Sequence, residues 1–353
     1  MFRRDNRQAT TMKILAASDS YMPRRYFEEA FVELEEAHDI AYIAVEDAAP
    51  FRPSSPSERK IREYQGSPGQ LCERMRGVEV LAVHGAPVTE QVLDASQALR
   101  LVCCARGGPV NVDVEAMNTR GLPLVNTPGK NAEAVADLTI AFLVMLARGL
   151  PKAQRFLDQG NQLRNNWDGA QFIASDLRRH TLGLVGYGQI GTRVAARAQA
   201  FGMAVLVYDP YAASAGAGVE QAETLDGLLA RADFVSLHAR ATADDEHMID
   251  AAALGTMKAG SFLINTARES LVDEDALDAA LASKHLGGAA LDVFNTNADG
   301  GRHRLLRHEN VVLTPHVGGA THETLQQGAE MVAAEIARFA AGEPLLNVVN
   351  EAR

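Results

Sequence analysis

A glycine-rich turn follows the apolar run Thr181–Val185 and precedes a helix-like segment, Thr192–Phe201. Its glycines have the spacing G-x-G-x-x-G: Gly186, Gly188 and Gly191. In such a turn the first glycine permits a tight bend, the second lets the backbone approach a pyrophosphate, and the third lets helix pack on strand. The free N–H groups and the positive end of the helix attract phosphates. The pattern predicts a dinucleotide-binding turn, and a glycine-rich turn without a ligand is the alternative.

An acidic residue, Asp209, ends the next apolar run, Ala204–Tyr208, roughly 20 residues after the first glycine. A carboxylate at this distance would accept hydrogen bonds from the ribose hydroxyls of an adenosine and would repel a 2′-phosphate. The sequence therefore favours NAD over NADP as the cofactor. The alternative is a turn residue at a strand end, because Pro210 follows directly.

Three polar residues follow later apolar runs: Arg268 after Phe262–Asn265, Asp292 after Ala289–Leu291, and His316 after Val311–Leu313. The carboxyl ends of parallel strands meet at one edge of a sheet, where ligands bind in open α/β folds. Arginine can orient a carboxylate and polarise a carbonyl with its planar fork. Histidine can donate a proton to a developing alkoxide. Beside a dinucleotide turn, these residue types favour hydride transfer to a carbonyl carbon.

The elements that must position these residues form two series of short apolar runs with helical stretches between most of them. The first series comprises Lys13–Ala17, Ile40–Val45, Val78–Val83, Leu101–Cys104 and Leu122–Val125. The second comprises Thr181–Val185, Ala204–Tyr208, Phe234–His238, Phe262–Asn265, Ala289–Leu291 and Val311–Leu313. This alternation predicts an α/β fold with two doubly wound parallel sheets.

Three helices are predicted with particular clarity: Tyr26–Leu34, Asn131–Arg148 and Glu323–Ala340. The second carries apolar residues on most faces, which predicts a buried helix that crosses between domains or lines a subunit interface. The third is followed by Gly342 and Pro344, a helix stop signal.

Composition excludes several classes of protein. The 353 residues, 47% hydrophobic and 22% charged, are typical of about two globular domains. A net charge of −11 gives no bulk attraction for nucleic acid or an anionic membrane. The longest apolar run, Ile140–Ala147, is far shorter than the roughly 20 residues of a membrane span. Three cysteines make no disulfide framework, and residues 1–11 lack the apolar core of a signal peptide. We therefore expect a cytoplasmic protein with a disordered tail over 1–11 and without a metal site.

Seven segments resemble, in order and spacing, the D-isomer-specific 2-hydroxyacid dehydrogenases, the family that includes D-3-phosphoglycerate, glycerate and D-lactate dehydrogenases. The segments are Asn126–Gly129, Ala134–Asp137, Gly183–Gly191, Asn265–Arg268, Val272–Leu277, Ala290–Phe294 and Thr314–Gly319. They cover most of residues 100 to 325, whereas the resemblance is weak over residues 1 to 80. The resemblance implies a Rossmann NAD domain, 128–317, inserted in a flavodoxin-like substrate-binding domain, 12–127 plus 318–353.

The resemblance also implies a role for individual residues. Arg268 would bind the substrate carboxylate and carbonyl, His316 would be the general acid/base, and Asp292 would hold the nicotinamide carboxamide. The substrate carboxylate would also meet backbone N–H groups of the loop Arg106-Gly107-Gly108. The positions expected at the cofactor are Gly186, Gly188, Gln189, Ile190, Gly191, Asp209, Pro210, His238, Thr266, Ala267, Asp292, Gly318 and Gly319. Family members are commonly homodimers joined through the cofactor domain, a contact that the helix 131–148 would suit.

One departure from the family pattern concerns the partner of the histidine. The family pairs it with a glutamate shortly after the Asp-Val-Phe segment, and the aligned residue here is Asn297. An asparagine can orient an imidazole but cannot raise its pKa as a carboxylate does. Either Asn297 partners His316, or Asp299 or, less well, Glu309 replaces the glutamate. In a third reading proton transfer is dispensable, as in the related formate dehydrogenases.

A second departure is extra positive charge near the expected substrate loop, at Arg106 and Lys130. On an acidic protein, these cations suggest a substrate with more anionic or hydroxyl groups than pyruvate, such as a phosphorylated or polyhydroxy 2-oxo acid. The alternative is that Arg106 pairs with a nearby acid.

Two classes of function remain open. The resemblance implies an NAD-linked enzyme that interconverts a D-2-hydroxy acid and its 2-oxo acid at C2. The alternative is a binding module that retains NAD and senses redox state, as related transcriptional corepressors do. Arg268 and His316 favour the enzyme, since a sensor needs neither, whereas Asn297 favours the module. Formate-dehydrogenase-like oxidation is a minor variant of the enzyme reading.

Overall fold

The computed structural model describes residues 11–47, 55–163, 165–212, 214–241, 245–296 and 301–350, with the side chains of 166–168 excepted. The chain divides into two compact units. Unit 1 comprises Met1–Lys130 and Thr321–Arg353, and unit 2 comprises Asn131–Ala320. In sequence, unit 2 is therefore inserted between the two parts of unit 1.

Unit 1 contains a five-stranded parallel sheet in the order β2-β1-β3-β4-β5, which is the order of flavodoxin-like sheets. Its strands are β1 (Lys13–Ser18), β2 (Asp39–Ala44), β3 (Val80–Val83), β4 (Leu101–Cys104) and β5 (Leu124–Val125). β3 and β4 are buried over their whole length, as expected for central strands covered on both faces. The strand order reverses between β1 and β3, which is where such sheets bind ligands.

The described helices of unit 1 are α1 (Arg25–Ala30), α2 (Val32–Glu35), α3 (Pro68–Cys72), α4 (Glu90–Asp94), α5 (Val114–Thr119) and the last helix of the chain, α12 (His322–Ala341). The predicted helix Tyr26–Leu34 is divided, because the backbone at Phe31 leaves the helical region (φ −99°, ψ 6°). Phe31 nevertheless packs in one core with Leu325 and Ile336 of α12. α12 ends at Gly342 in the left-handed conformation (φ 70°), in agreement with the predicted stop.

Unit 2 contains a seven-stranded parallel sheet in the order β12-β11-β10-β9-β6-β7-β8. Its strands are β6 (Thr181–Val185), β7 (Ala204–Tyr208), β8 (Val219–Gln221), β9 (Phe234–Leu237), β10 (Phe262–Asn265), β11 (Gly288–Leu291) and β12 (Val311–Leu313). Read from the other edge, this is the dinucleotide-binding order with one added strand. Its order reverses between β6 and β9. The prediction of two doubly wound parallel sheets is therefore confirmed.

The described helices of unit 2 are α6 (Ala132–Ala147), α7 (Leu150–Asp158), α8 (Gln189–Ala200), α9 (Leu225–Leu229), α10 (Ala251–Thr256) and α11 (Glu274–Ala282). The prediction that α6 is buried is wrong for one of its faces. Phe142 and Leu143 are buried, but Glu133 and Asp137 are exposed, where they form ion pairs with arginines of α8.

In the described part of the chain, no single helix is long and apolar enough to cross a membrane. Only α6 and α7 taken together reach that length and composition, and they are bent by 67° at the break between them.

Two predictions concern residues outside the described ranges. The expected disordered tail, 1–11, is described only at Thr11, and Asn297 and Asp299 are not described. Both therefore stay predictions.

Candidate active site

The glycine-rich turn after β6 is shaped by contacts of the protein with itself. Gly186 has a φ of +98°, and a Cβ there would lie 2.7 Å from the backbone N of Ala239 and the carbonyl C of His238. A Cβ on Gly191 would lie 2.3 Å from the carbonyl oxygen of Gly186. Real Cβ atoms do not approach backbone so closely, so both positions require glycine. The turn thus closes between β6 and β9, where the strand order reverses.

Gly188 has a different reason to be glycine. It is the N-cap of α8, and a Cβ there would meet no protein atom within 4 Å. The first N–H groups of a helix, here those of Gln189, Ile190 and Gly191, have no acceptor within the helix. Open space over free N–H groups and a positive helix end fits a pyrophosphate. The turn therefore fits a dinucleotide, as the sequence predicts.

Two substitutions in this turn should separate folding from cofactor binding. We expect Gly188→Ala to leave the melting temperature unchanged and to weaken NADH binding at least tenfold, because its methyl group occupies space that only a ligand needs. We expect Gly191→Ala to destabilise the fold by about 2 kcal/mol or more, because its methyl group overlaps protein backbone. Thermal unfolding and titration of NADH by fluorescence measure the two effects. Equal loss of stability in both variants would contradict the assignment.

Asp209 lies at the end of β7, and its carboxylate accepts backbone hydrogen bonds from Tyr187 (N to Oδ2, 2.7 Å) and Tyr211 (N to Oδ1, 2.9 Å). These bonds fix the carboxylate beside the glycine-rich turn. A cavity of about 370 Å³ adjoins it, lined by Tyr208, Asp209, Pro210, Gln221, Ala222 and Glu223. Sequence reasoning missed Glu223, whose carboxylate follows the short edge strand β8. Two acidic side chains on one cavity disfavour a phosphorylated ribose.

Three further predicted cofactor positions, His238, Thr266 and Ala267, lie at the carboxyl ends of β9 and β10. Nε2 of His238 is 2.9 Å from the hydroxyl of Ser236, and burial lowers the pKa of His238 to about 3, so this imidazole is neutral. Thr266 is buried, with its hydroxyl 3.2 Å from that of Thr139. Ala267 is also buried. These residues therefore lie at the carboxyl edge of the unit 2 sheet.

Arg268 lies in the loop that follows β10, and its guanidinium can bind an anion. Asn265 fixes the local backbone, since its side chain accepts from the N–H of Ala267 (3.0 Å) and donates to the carbonyl of Arg268 (2.8 Å). The Arg268 side chain is exposed, and its Nη1 donates to the carbonyl of Ala267 (2.7 Å). Among the described residues of unit 2, no carboxylate pairs with this guanidinium. Its charge is therefore available to a ligand.

Asp292 holds the turn that carries the predicted acid/base residue. Only 2% of Asp292 is exposed. Its Oδ1 accepts from the hydroxyl of Thr314 (2.5 Å) and the N–H of Val317 (2.8 Å), and its Oδ2 accepts from the N–H of Gly318 (2.7 Å). A Cβ on Gly318 would lie 2.8 Å from Oδ2, so glycine is needed for this approach. The predicted contact of Asp292 with a nicotinamide carboxamide stays a prediction.

His316 occupies the middle of that turn in a strained conformation. Its φ is +55°, in a region that residues other than glycine rarely adopt. Residues in such strained conformations cluster at functional sites. The imidazole is exposed, and the described residues of unit 2 give it no hydrogen-bond partner. Glu309 is engaged elsewhere, 3.9 Å from Nζ of Lys152. The partner of His316 therefore stays a prediction that falls on Asn297 or Asp299.

The predicted substrate loop lies in unit 1, directly after β4. Its carbonyl groups are tied back: Thr127 N–H donates to Arg106 (3.1 Å), the Asn126 side chain donates to Gly107 (2.7 Å), and Val110 N–H donates to Gly108 (3.0 Å). No described residue of unit 1 accepts from the N–H of Gly107 or Gly108. Free N–H groups on a fixed loop suit a carboxylate.

The two cations predicted near this loop differ in their surroundings. Arg106 forms an ion pair with Glu63 and also donates to the Glu63 carbonyl (2.7 Å), which matches the alternative reading of this residue. Lys130 is only 8% exposed and has no hydrogen-bond or ion-pair partner among the described residues of unit 1. Burial lowers the pKa of Lys130 to about 8.

Sequence reasoning missed a buried pair of ionisable side chains, Asp19 and His84, at the carboxyl edge of the unit 1 sheet. Nδ1 of His84, directly after β3, is 2.9 Å from Oδ2 of Asp19, directly after β1. The signal was available, because both are polar residues that end apolar runs, as Arg268 and His316 nearly do. The pair lies where the strand order of unit 1 reverses.

The chain is similar in sequence to a known family and to several named enzymes. The model of the D-isomer specific 2-hydroxyacid dehydrogenase NAD binding domain matches residues 140–318. A glyoxylate reductase of Korarchaeum cryptofilum is 38% identical over 285 residues, 80% of this chain and 85% of the relative. A D-3-phosphoglycerate dehydrogenase of Methanocaldococcus jannaschii is 36% identical over 285 residues, and the match spans about half of that relative (53%) and 80% of this chain.

Solved structures resemble almost the full length of the chain. The TT0316 protein of Thermus thermophilus is 30% identical, with a TM-score of 0.77 over 96% of this chain and 100% of the other. A D-lactate dehydrogenase of Aquifex aeolicus, solved with NAD and lactic acid, is 26% identical, with a TM-score of 0.68 over 94% of this chain and 96% of the other.

Proposed function

The chain belongs to the D-isomer specific 2-hydroxyacid dehydrogenase family, a family of NAD-dependent oxidoreductases, and we propose that it interconverts a D-2-hydroxy acid and its 2-oxo acid at C2. One observation carries this proposal. An exposed guanidinium without a carboxylate partner in the described part of unit 2 and an exposed, strained histidine follow two strands of the sheet that carries the dinucleotide turn. A module that only bound the cofactor would need neither.

Each residue has a distinct part in the proposed reaction. The turn Gly186–Gly191 would hold the pyrophosphate, and Asp209 would hold the adenosine ribose. Bound NADH supplies the hydride that reduces C2. Arg268 orients the C1 carboxylate and polarises the C2 carbonyl with its fork. His316 donates a proton to the oxygen at C2 as it becomes an alkoxide, and accepts it in the reverse direction.

We also propose that the loop Arg106-Gly107-Gly108 of unit 1 binds a carboxylate. The N–H groups of Gly107 and Gly108 have no acceptor in the described part of that unit, which supports their predicted role. Because Arg106 is occupied by Glu63, we assign the selection of a phosphorylated or polyhydroxy 2-oxo acid to Lys130 rather than to Arg106.

The test is the initial rate of NADH oxidation with a panel of 2-oxo acids: glyoxylate, pyruvate, hydroxypyruvate, its 3-phosphate and longer sugar-derived acids. We expect turnover of at least one acid, with NADPH far less effective. Binding of NADH without turnover of any acid would instead favour the sensing module, the reading that Asn297 supports. Oxidation of formate with NAD, measured in parallel, tests the remaining variant.

Coenzyme preference should depend on the carboxylate of Asp209. We expect Asp209→Ser to lower the preference for NADH over NADPH by about 10- to 100-fold, because the variant loses both the ribose contact and the repulsion of a 2′-phosphate. The ratio of kcat/KM for the two coenzymes measures this. The matched variant is Glu220→Ser, which removes an exposed acid of β8 that pairs with Arg231 and does not line the cavity. Its ratio should not change, and an equal change in both variants would contradict the role of Asp209.

We also propose that the protein is a homodimer joined through unit 2. α6 carries the partly exposed residue Val144, and α7 exposes Leu150 and Leu157. Such apolar exposure is typical of a subunit interface.

We propose a cytoplasmic location for the protein. The three cysteines are free thiols, which is consistent with this proposal.

A further inference from the structure

The Lys130 side chain is a largely buried cation that forms no ion pair or hydrogen bond with the described residues of unit 1. Only 8% of the residue is exposed, and within the described part of unit 1 no carboxylate or carbonyl lies within bonding distance of its ammonium. Burying an unpaired charge is costly, so buried lysines are normally paired. An unpaired one at the ligand-binding edge of a sheet indicates a group that is completed by a ligand.

The Lys130 side chain packs against α12 at Gly328. A Cβ on Gly328 of α12 would lie 3.0 Å from Cδ and 3.2 Å from Nζ of Lys130, and 3.5 Å from the carbonyl oxygen of Ala105. The absence of a side chain at Gly328 therefore lets Lys130 lie along α12 beside the end of β4. This position is next to the loop that begins at Arg106.

Two carboxylates associated with this part of unit 1 are already occupied. Asp19 acts electrostatically on Lys130, but its two oxygens accept from the N–H groups of Tyr21 (3.0 Å), Met22 (2.8 Å) and Gly85 (2.6 Å), and Oδ2 also lies beside the ring of His84. The Glu63 carboxylate pairs with Arg106. Neither acid is available to Lys130, and the Arg106 charge adds to the positive potential there.

We propose that Lys130 binds a second anionic group of the substrate, remote from its C1 carboxylate, and so makes the enzyme prefer 2-oxo acids with two acidic groups. This inference rests on the proposed function. The shared chemistry is an oxyanion, which either a phosphate ester or a second carboxylate provides, and the substrates of the test distinguish the two.

The first experiment compares kcat/KM for hydroxypyruvate 3-phosphate, 2-oxoglutarate, hydroxypyruvate and glyoxylate in four proteins. These are the wild type, Lys130→Met, Lys130→Arg and the control Lys60→Met, which removes an exposed lysine paired with Glu115. We expect Lys130→Met to lower kcat/KM about 10- to 100-fold for the preferred acid with two anionic groups. For glyoxylate we expect less than a threefold change. Lys130→Arg should retain most of the preference, and the control should resemble the wild type.

An equal fall for all four acids in Lys130→Met, or no fall for any, would overturn the inference while leaving the proposed function intact. A second measurement decides the case in which no acid is turned over. Inorganic phosphate is titrated calorimetrically into the wild type and Lys130→Met. Binding that Lys130→Met weakens at least tenfold would support the anion site although the proposed reaction had failed. Absent or unchanged binding would overturn it.

The pH dependence provides a third readout. The ionisable groups that face Lys130 are Arg106, His84, Asp19 and the thiol of Cys104, and burial raises the pKa of that thiol to about 11. Because the pKa of Lys130 is lowered to about 8, its positive charge is present below that pH and lost above it. The ratio of kcat/KM for the phosphorylated acid to that for hydroxypyruvate should fall between pH 7 and 9. In Lys130→Arg the ratio should stay constant, and a parallel fall there would contradict the assignment.

Discussion

Replacing Arg268 by alanine is expected to lower kcat/KM for every 2-oxo acid about a thousandfold. The guanidinium provides a charged, two-pronged contact to the carboxylate and stabilises charge that develops on the C2 oxygen, and removing one such donor typically costs a hundred- to a thousandfold. Because the side chain is exposed and its guanidinium donates to the Ala267 carbonyl beside it, the melting temperature should not change. Initial rates and thermal unfolding measure the two quantities.

The matched variants for this prediction are Arg268→Lys and Arg231→Ala. Arg268→Lys keeps the charge but loses the planar fork, so its kcat/KM should lie between those of the wild type and the alanine variant. Arg231 is an exposed arginine of the same unit that pairs with Glu220, and its removal should change kcat/KM less than twofold. Turnover by Arg268→Ala within tenfold of the wild type would show that another group binds the carboxylate.

Replacing His316 by asparagine is expected to lower kcat about a hundred- to ten-thousandfold, the range that general acid–base catalysis contributes. Asparagine is the informative substitution because His316 has a φ of +55°, a conformation that asparagine tolerates better than most residues. The turn should therefore keep its three hydrogen bonds to the Asp292 carboxylate, and both the melting temperature and NADH affinity should be unchanged. Single-turnover rates, thermal unfolding and NADH titration measure these quantities.

The control for this prediction is Asp292→Asn, which retains the shape of the side chain but presents N–H donors to backbone N–H groups. That variant should lower both kcat and the melting temperature, because it disrupts the turn itself. If His316→Asn reduced a 2-oxo acid as fast as the wild type, proton transfer by this residue would be dispensable and the formate-type reading would gain support.

Most strands of unit 2 were predictable because they are short apolar runs followed by polar or glycine residues. β6, β7, β10 and β12 have the predicted bounds, and β9 and β11 differ by one residue. The edge strand β8 was missed because only Val219 of its three residues is apolar, and Glu220 and Gln221 are exposed. An edge strand buries too little apolar surface to leave a periodic pattern.

Side-chain partners across long sequence separations were less predictable. The pair of Arg106 with Glu63 and the seat of Lys130 on Gly328 depend on how the folded chain brings distant segments together. Spacing rules describe only neighbours within an element. The sequence therefore identified Arg106 and Lys130 as cations but could not show that Arg106 pairs with a carboxylate and Lys130 does not. Asp292 shows the same limit, since its position after β11 was clear but its bonds to the turn 314–318 were not.

The interrupted course of unit 1 has a consequence for biosynthesis. Ile14 of β1, Val80 of β3 and Leu101 of β4 share one core with Leu325 and Ile336 of α12. A ribosome makes these strands first and their covering helix only after all of unit 2. During translation, unit 2 can fold as an uninterrupted segment. Until α12 is made, the face of the unit 1 sheet that α12 covers stays exposed to solvent. The nascent chain is therefore most in need of a chaperone between the emergence of β4 and that of α12, and a stop codon that removed α12 would leave that face exposed permanently.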